Sequence, residues 1–302
     1  MDGPLTIGVV SPGAMGAALG RAWQSAGARV VATVAGRSGR TATLARGLEL
    51  LPDLASVVST SDVVVSVVPP GDARTVMAAI VDAASTAGVS PVVADLNAVS
   101  PATVRSLADV AQAAGLVFVD GAISGGPPQP GGDTMLYLAG EQASVLDELA
   151  ADGLRTHIVG TQVGSASAVK MCTASVYKGT TALWVQALQT AHAHGVLDVV
   201  LADLAEEFPA AAATAGRRIA VATSKSGRFV AEMEQIAATQ EGAGVGPELF
   251  LGMAAVYARL ASTPLAGLSP EQARDLTDLA EVLSRLREPR QPRQPRQPRQ
   301  PR

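Results

Sequence analysis

The feature that most constrains this chain is an alternation that runs through its first 160 residues. Short apolar, β-branched runs stand at LTIGVV (5–10), RVVATVAG (29–36), DVVVSVV (62–68), PVVADL (91–96) and LVFVDGA (116–122), separated by stretches of helical periodicity. Runs of this kind suit strands buried on both faces. Strands alternating with helices form a parallel sheet wound by right-handed crossovers. TMLYLAG (134–140) and THIVG (156–160) read as the last two strands, with a helix over EQASVLDELAADG between them. From Gly164 the strand pattern stops, and residues 164–286 are Ala-rich and helical, opening on a run to Gly195 that contains no proline. The expected fold is α/β, a doubly wound, mostly parallel sheet over residues 1–162, followed by an all-α domain over 163–286. The tail 287–302 repeats Pro-Arg-Gln; proline fixes φ and removes donors, so this segment is expected to be extended and disordered.

Composition sets outer limits. With 48% apolar and 17% charged residues in 302, the body can bury two ordinary cores. The net charge of −4 hides an asymmetry, because the last sixteen residues hold six Arg and one Glu, leaving 17 basic against 26 acidic residues elsewhere. An acidic body argues against nucleic acid as a partner. One cysteine, Cys172, allows no internal disulfide and no zinc cluster. MDGPLTIGVV lacks the pattern of a signal peptide, and no stretch stays apolar for the roughly 18 residues of a membrane helix. A cytoplasmic protein without membrane contact is expected.

VVSPGAMGAALG (9–20) follows the first strand and opens a helix. It matches the dinucleotide fingerprint G-x-G-x-x-G except that Ser11 holds the first glycine position, while Gly13 and Gly16 hold the second and third. The second glycine lets backbone approach a pyrophosphate, and the third lets helix and strand pack closely. Serine is tolerable at the first position if φ stays negative, and Pro12 biases Ser11 towards an extended conformation. The helix N-terminus can then receive phosphate, so Ser11, Pro12, Gly13, Ala14, Met15 and Gly16 are candidate cofactor contacts; a purely structural glycine turn is the alternative. After the second strand, AGRSGRT carries Arg37, Ser38, Arg40 and Thr41 and no acid. Guanidinium and hydroxyl groups match a 2′-phosphate, whereas an NAD site normally places a carboxylate there. NADP(H) is favoured over NAD(H), unless these arginines merely solvate a loop.

Ligands of open parallel sheets bind beyond the carboxyl ends of the strands. Three such ends are distinctive: VVPPGDA (67–73), DLNAVSP (95–101) and DGAISGGPP (120–128). Pro69 and Pro70 would wall the adenine and ribose or simply end the strand, and Val68 and Pro69 are candidate cofactor contacts. Asn97 offers an amide to the cofactor or substrate, or serves as a turn residue. Ser124, Gly125 and Gly126 offer a hydroxyl and unhindered amides for a carboxylate, or form a structural turn.

SPGAMG, DLNAVSP, DGAISGGPP and VGSASAVKMC, in that order, resemble the β-hydroxyacid dehydrogenase superfamily, which includes 6-phosphogluconate and 3-hydroxyisobutyrate dehydrogenases and is related to imine reductases. KMCTASVYKGTTAL and RFVAEMEQIAATQEGAG resemble a subgroup whose helical C-terminal domain has a poorly defined function. The resemblance implies a Rossmann-type domain, a helical domain that often builds a dimer interface, and hydride transfer at a carbon bearing a hydroxyl. It implies that Lys170 matches the catalytic lysine and that Ser124, Gly125 and Gly126 match the substrate loop. Two departures stand out: Ala174 replaces the Asn usual four residues after the lysine, and Ala166 replaces a glycine before it.

A lysine in an apolar, small-residue context loses pKa by desolvation, and near neutrality it can give and take a proton. Lys170 would protonate the oxygen formed when hydride reaches a carbonyl carbon. On a helix, positions 170, 174, 177 and 178 share a face. Lys178 begins about 12 Å up the axis, so Tyr177 and Lys178 are candidate substrate contacts across the space left at Ala174. His192 and His194 point about 200° apart on a helix and cannot share a metal, and no metal is expected. Cys172 is expected to be a small buried thiol, and Met233 and Met253 to pack in helical cores. The function expected is an NADP(H)-dependent oxidoreductase acting on a small hydroxy or oxo acid, with a homodimer formed through the helical domain. An imine reductase and a non-catalytic NADP(H)-binding module are the alternatives.

Overall fold

The structure, a computed structural model, describes residues 3–287. The tail from Glu288 lies outside the described residues, and with it the expectation of an extended segment. The described residues form two compact units: the residues up to Ala174 with Gln235–Pro247, and Ser175–Glu234 with the residues from Glu248 onward.

In the first unit the elements run β1 (Thr6–Val9), α1 (Ala14–Ser25), β2 (Arg29–Ala32), α2 (Gly39–Leu44), β3 (Glu49–Leu50), α3 (Leu54–Thr60), β4 (Val63–Ser66), α4 (Ala73–Ala87), β5 (Val92–Asp95), α5 (Pro101–Ala113), β6 (Phe118–Ser124), β7 (Thr134–Ala139), α6 (Ser144–Asp147) and β8 (Leu154–Gly160). They are followed by the long α7 (Ser165–Ala193). The sheet order is β3-β2-β1-β4-β5-β6-β7-β8, parallel except for the antiparallel pair β6–β7. The expected mostly parallel, doubly wound architecture is what forms. Side-chain alternation explains the double winding. Ile7, Val9, Val63 and Val65 join Leu19 and Trp23 of α1 in one core, whereas Val64 and Val93 join Ile80 of α4 and Leu107 of α5 in the other. Strands buried on both faces thus carry two cores at once.

The helix expected over 141–153 is regular only from Ser144 to Asp147. The chain then turns back through a bridge between Ala151 and Leu154. Gly153 sits at φ +78°, where a side chain would collide with the Gln129 carbonyl oxygen. Close packing of this turn overrides helical propensity.

The second unit is helical: the C-terminal part of α7, then α8 (Leu197–Glu207), α9 (Pro209–Ala213), α10 (Ala215–Ser224), α11 (Ser226–Gly242), α12 (Glu248–Ala261), α13 (Pro270–Arg274) and α14 (Leu279–Arg287). The C-terminal end of α11 belongs to the first unit, where Gln235 Oε1 accepts from the Ser100 amide (2.8 Å) and the Thr103 hydroxyl (3.1 Å) at the start of α5. Met233 is fully buried. Cys172 is exposed, contrary to expectation, because its position on α7 turns away from the face that buries Met171 and Ala174. No helix among the described residues is long and apolar enough to cross a membrane.

Candidate active site

Strands β2, β1, β4, β5 and β6 are adjacent and parallel, so their carboxyl ends lie on one side of the sheet, and the strand order reverses between β1 and β4. A crevice opens at such a reversal. The glycine turn follows β1, Arg37 to Thr41 follow β2, Val68 and Pro69 follow β4, Asn97 follows β5, and Ser124 to Gly126 end β6.

The glycine turn fits a phosphate-bearing ligand. No non-glycine residue among those described has a positive φ, so Ser11 meets the condition under which it can replace glycine. A Cβ on Gly16 would lie 2.3 Å from the Ser11 carbonyl oxygen, which makes that glycine a requirement of packing. A Cβ on Gly13 would meet nothing within 4 Å, and no side chain caps the N-terminus of α1. First-turn helix amides attract anions, and here the approach to them is open.

Beyond β2, Arg37 and Arg40 are exposed. Ser38 and Thr41 have structural work as well: the Ser38 hydroxyl accepts from the Thr41 amide (3.3 Å) and caps α2. Asn97 is committed within the protein. Its Oδ1 accepts from the Val68 amide (2.6 Å), and its Nδ2 donates to Ser66 Oγ (3.0 Å) and Asp95 Oδ2 (2.6 Å). With 3% exposure and both amide hydrogens used, Asn97 ties the end of β4 to the end of β5 rather than offering its amide to a ligand. The sequence left open whether Asn97 serves a ligand or the protein's own turn; in the structure its side chain bonds Val68, Ser66 and Asp95.

At the end of β6, Gly125 has φ +108°, a left-handed value that only glycine adopts freely. Gly126 is held by its carbonyl, which accepts from Thr134 Oγ1 at 2.9 Å. Both glycines are exposed and Ser124 is partly so, leaving a hydroxyl and small residues at the sheet's edge.

Two acids missed in the sequence organise this edge. Asp95 and Asp120 are register partners on β5 and β6, 1% and 0% exposed. Asp120 Oδ2 accepts from the amides of Gly164 (2.8 Å), Ala166 (3.0 Å) and Ser167 (3.2 Å), while Oδ1 accepts from Ser167 Oγ (2.7 Å). A strand carboxylate therefore caps the N-terminus of α7, across more than 40 residues of chain. Burial pushes the Asp120 pKa up despite these four bonds. Burial raises Asp95 to about 7, against the lowering effect of bonds from Asn97 and with the added repulsion of Asp120. The signal was present in the sequence, since each acid ends or interrupts an otherwise apolar strand.

Lys170 lies on α7, three residues beyond Ser167, and is half-buried. Ala166 and Ala174, the two departures from the family pattern, are buried at 0% and 3% exposure, so the position of the usual Asn is closed by packing. In the second unit, Tyr177 is 68% exposed. The Lys178 ammonium pairs with the buried Glu232, which also takes Arg228 Nε at 3.0 Å. It lies 4.8 Å from the centroid of the Phe229 ring. Sequence reading gave Lys178 no acidic partner, because Glu232 comes from a distant helix. Among the described residues, no group of His, Cys, Asp and Glu could hold a metal.

A nicotinamide-dinucleotide-binding fold with its crevice at the β1/β4 reversal is the class these features define. More particularly, residues 6–152 match the NAD binding domain of 6-phosphogluconate dehydrogenase, and residues 191–260 match a domain of unknown function (DUF1932). The chain is 29% identical over 177 residues to an uncharacterized 28.5 kDa protein of Methanothermus fervidus, covering 57% of this chain and 66% of that one. It is 27% identical over 176 residues to 2-(hydroxymethyl)glutarate dehydrogenase of Eubacterium barkeri, covering 57% and 58%. The chain thus spans less than two thirds of the length of either curated relative. Among solved structures, a conserved protein of unknown function, described as similar to 3-hydroxyacid dehydrogenases, is 28% identical, with TM-score 0.65 and coverage of 88% and 100%. The fold alone is shared with 3-hydroxyisobutyrate dehydrogenase of Mycobacterium tuberculosis (18% identity, TM-score 0.64, coverage 94% and 100%). It is likewise shared with an imine reductase of Myxococcus stipitatus in complex with NAD+ (22% identity, TM-score 0.55, coverage 94% and 100%).

Proposed function

We propose that this protein is an NADP(H)-dependent oxidoreductase acting on a small hydroxy or oxo acid, with Lys170 as its general acid and base. The observation that carries the reading is the Asp120 clamp: the strand that ends in Ser124, Gly125 and Gly126 also grips the first turn of the helix bearing Lys170. All of these residues belong to one compact unit with the glycine turn. The turn amides near Gly13 would take the pyrophosphate, and Arg37 and Arg40 the 2′-phosphate. Bound there, the cofactor gives or accepts a hydride. Lys170 Nζ donates a proton to the substrate oxygen in reduction and removes it in oxidation. Ser124 and the amides of Gly125 and Gly126 hold the acid group of the substrate. The dehydrogenase among the relatives supports the reaction class.

The buried Ala174 favours a second reading, reduction of a C=N bond, because the amide expected beside Lys170 is missing. The exposed apolar side chains Val176, Leu183, Val199 and Leu249 of the helical unit, each more than 60% exposed, support a homodimer.

The test is steady-state turnover with NADPH or NADP+ on parallel panels of 3-hydroxy acids, 3-oxo acids and cyclic imines. Lys170→Met should lower kcat on the hydroxy-acid panel by about 10²- to 10⁴-fold with NADPH binding unchanged. Full turnover by Lys170→Met overturns the assigned role, and activity confined to imines selects the second reading. Replacing Arg37 and Arg40 together by Gln should narrow the preference for NADPH over NADH; an unchanged preference removes them from the cofactor site.

A further inference from the structure

We propose that the cavity within the helical unit is a binding site for a small metabolite carrying two or more anionic oxygen groups, one that needs neither the cofactor nor Lys170. The chain has a net charge of −4 and 23 Lys and Arg residues in all. Five of them, Lys178, Arg217, Arg218, Lys225 and Arg274, converge on one cavity of about 510 Å³. Among the described residues that line it, none is Asp or Glu. The cations come from separate places in the fold: α7, α10, the residue joining α10 to α11, and α13. On α10 the spacing 217, 218, 221 and 222, continued by Lys225 just past its end, turns one helical face towards the cavity.

Gathering like charges around a concavity works against folding. The consequence is visible at Lys225, whose pKa is pushed down by burial and by the charges of Arg228 and Arg274. Two carboxylates approach. Glu232 is shared between Lys178 and Arg228, and Glu271 acts on Lys225 by its field without outweighing the cations. An anion in the cavity offsets this repulsion. Three of the five cations are Arg, the side chain whose planar fork matches carboxylate and phosphate geometry. The cavity lies in the size range of small-molecule sites, and Phe229 and Val221 give its wall an apolar part for a short carbon frame. The shared chemistry is that of a di- or tricarboxylate or a phosphorylated metabolite.

The experiment is isothermal titration of the full-length protein, saturated with NADP+ to occupy the glycine turn, with citrate and separately with pyrophosphate, at ionic strength fixed by chloride. One site per chain is expected for at least one probe. Binding of citrate alone assigns carboxylates, and binding of pyrophosphate alone assigns phosphoryl groups. Replacing Arg218 and Lys225 together by Met should weaken the Kd about 100-fold, taking tenfold for each charged contact. The charge-preserving pair Arg218→Lys with Lys225→Arg should retain binding. Arg274 is exposed, so Arg274→Met gives a variant that folds if the double replacement does not, with about tenfold weakening expected. Lys170→Met should bind the probe as the wild type does, even if the hydride chemistry assigned above proves wrong. The proposal is overturned if neither probe binds above chloride, or if the Met variants bind as tightly as the wild type.

Discussion

Removing the carboxylate of Asp120 tests the mechanical basis of the site. In Asp120→Ala, the Gly164 amide just before α7, two first-turn amides of α7 and the Ser167 hydroxyl lose one shared acceptor at a fully buried position. Hydrogen bonds to a charged group contribute about 1.5–3 kcal/mol each when taken singly. Because two oxygens serve all four donors, and part of the gain is spent on burying the charge, the loss is expected near 3–5 kcal/mol, the range for breaking a buried charged network. Asp120→Asn keeps an oxygen for the amides, and its Nδ2 can donate to Ser167 Oγ. It forfeits the charge–dipole attraction, about 1–2 kcal/mol, and relieves the buried charge that holds the Asp120 pKa up. The expected order of stability is wild type, then Asn, then Ala. Urea unfolding at pH 7.5 measures it, with hydrogen exchange at Gly164, Ala166 and Ser167 showing whether the loss sits at the start of α7. An Ala variant within about 1 kcal/mol of wild type, with those amides still protected, refutes the capping argument.

Three further outcomes follow from the carboxyl ends of the strands and the glycine turn. Asp95 titrates near 7 in the folded protein, above its ordinary 3.8, so between those values the folded state binds more protons and stability falls as pH rises through the window, by a total on the order of 4 kcal/mol. Unfolding free energies from pH 4 to 8 should show this slope in the wild type and a much shallower one in Asp95→Asn; equal slopes would remove Asp95 as its source. Gly16→Ala should cost about 1–3 kcal/mol, because its Cβ would press on the Ser11 carbonyl. Gly13→Ala should leave thermal stability nearly unchanged while weakening NADP(H) binding, and unchanged affinity would detach the turn from the cofactor.

The fold was legible because its strands are buried on both faces. Ile7, Val9, Val64 and Val93 are apolar whichever way they point, so the apolar runs mark the strands without any need to know which face meets which helix. What stayed hidden depended on partners far along the chain. The expected helix over 141–153 was shortened by the contact of Gly153 with Gln129, a meeting that no local periodicity encodes. The antiparallel turn from β6 to β7 rests on Gly125 at a positive φ and on the Thr134 bond to Gly126, and the SGG stretch shows only that such a turn is allowed.

The site divides along the same line, and the two lysines of α7 show why. Lys170 and Lys178 stand eight residues apart in similar small-residue surroundings, and sequence periodicity assigns them to one helical face and hence to one pocket. Charge placement separates them. Glu232, arriving from α11, takes the ammonium of Lys178 beside the Phe229 ring. Asp120, arriving from β6, spends its oxygens on backbone amides and Ser167 at the start of the helix. One carboxylate therefore fixes a side chain and the other fixes a helix. A helix anchored through its backbone keeps the side chains of its next turn in register with the strand that anchors it, and Lys170 stands in that next turn. The chemistry proposed for Lys170 thus depends on an acid that does not meet the substrate, so that Asp120→Asn should lower kcat while leaving the Km for NADPH unchanged.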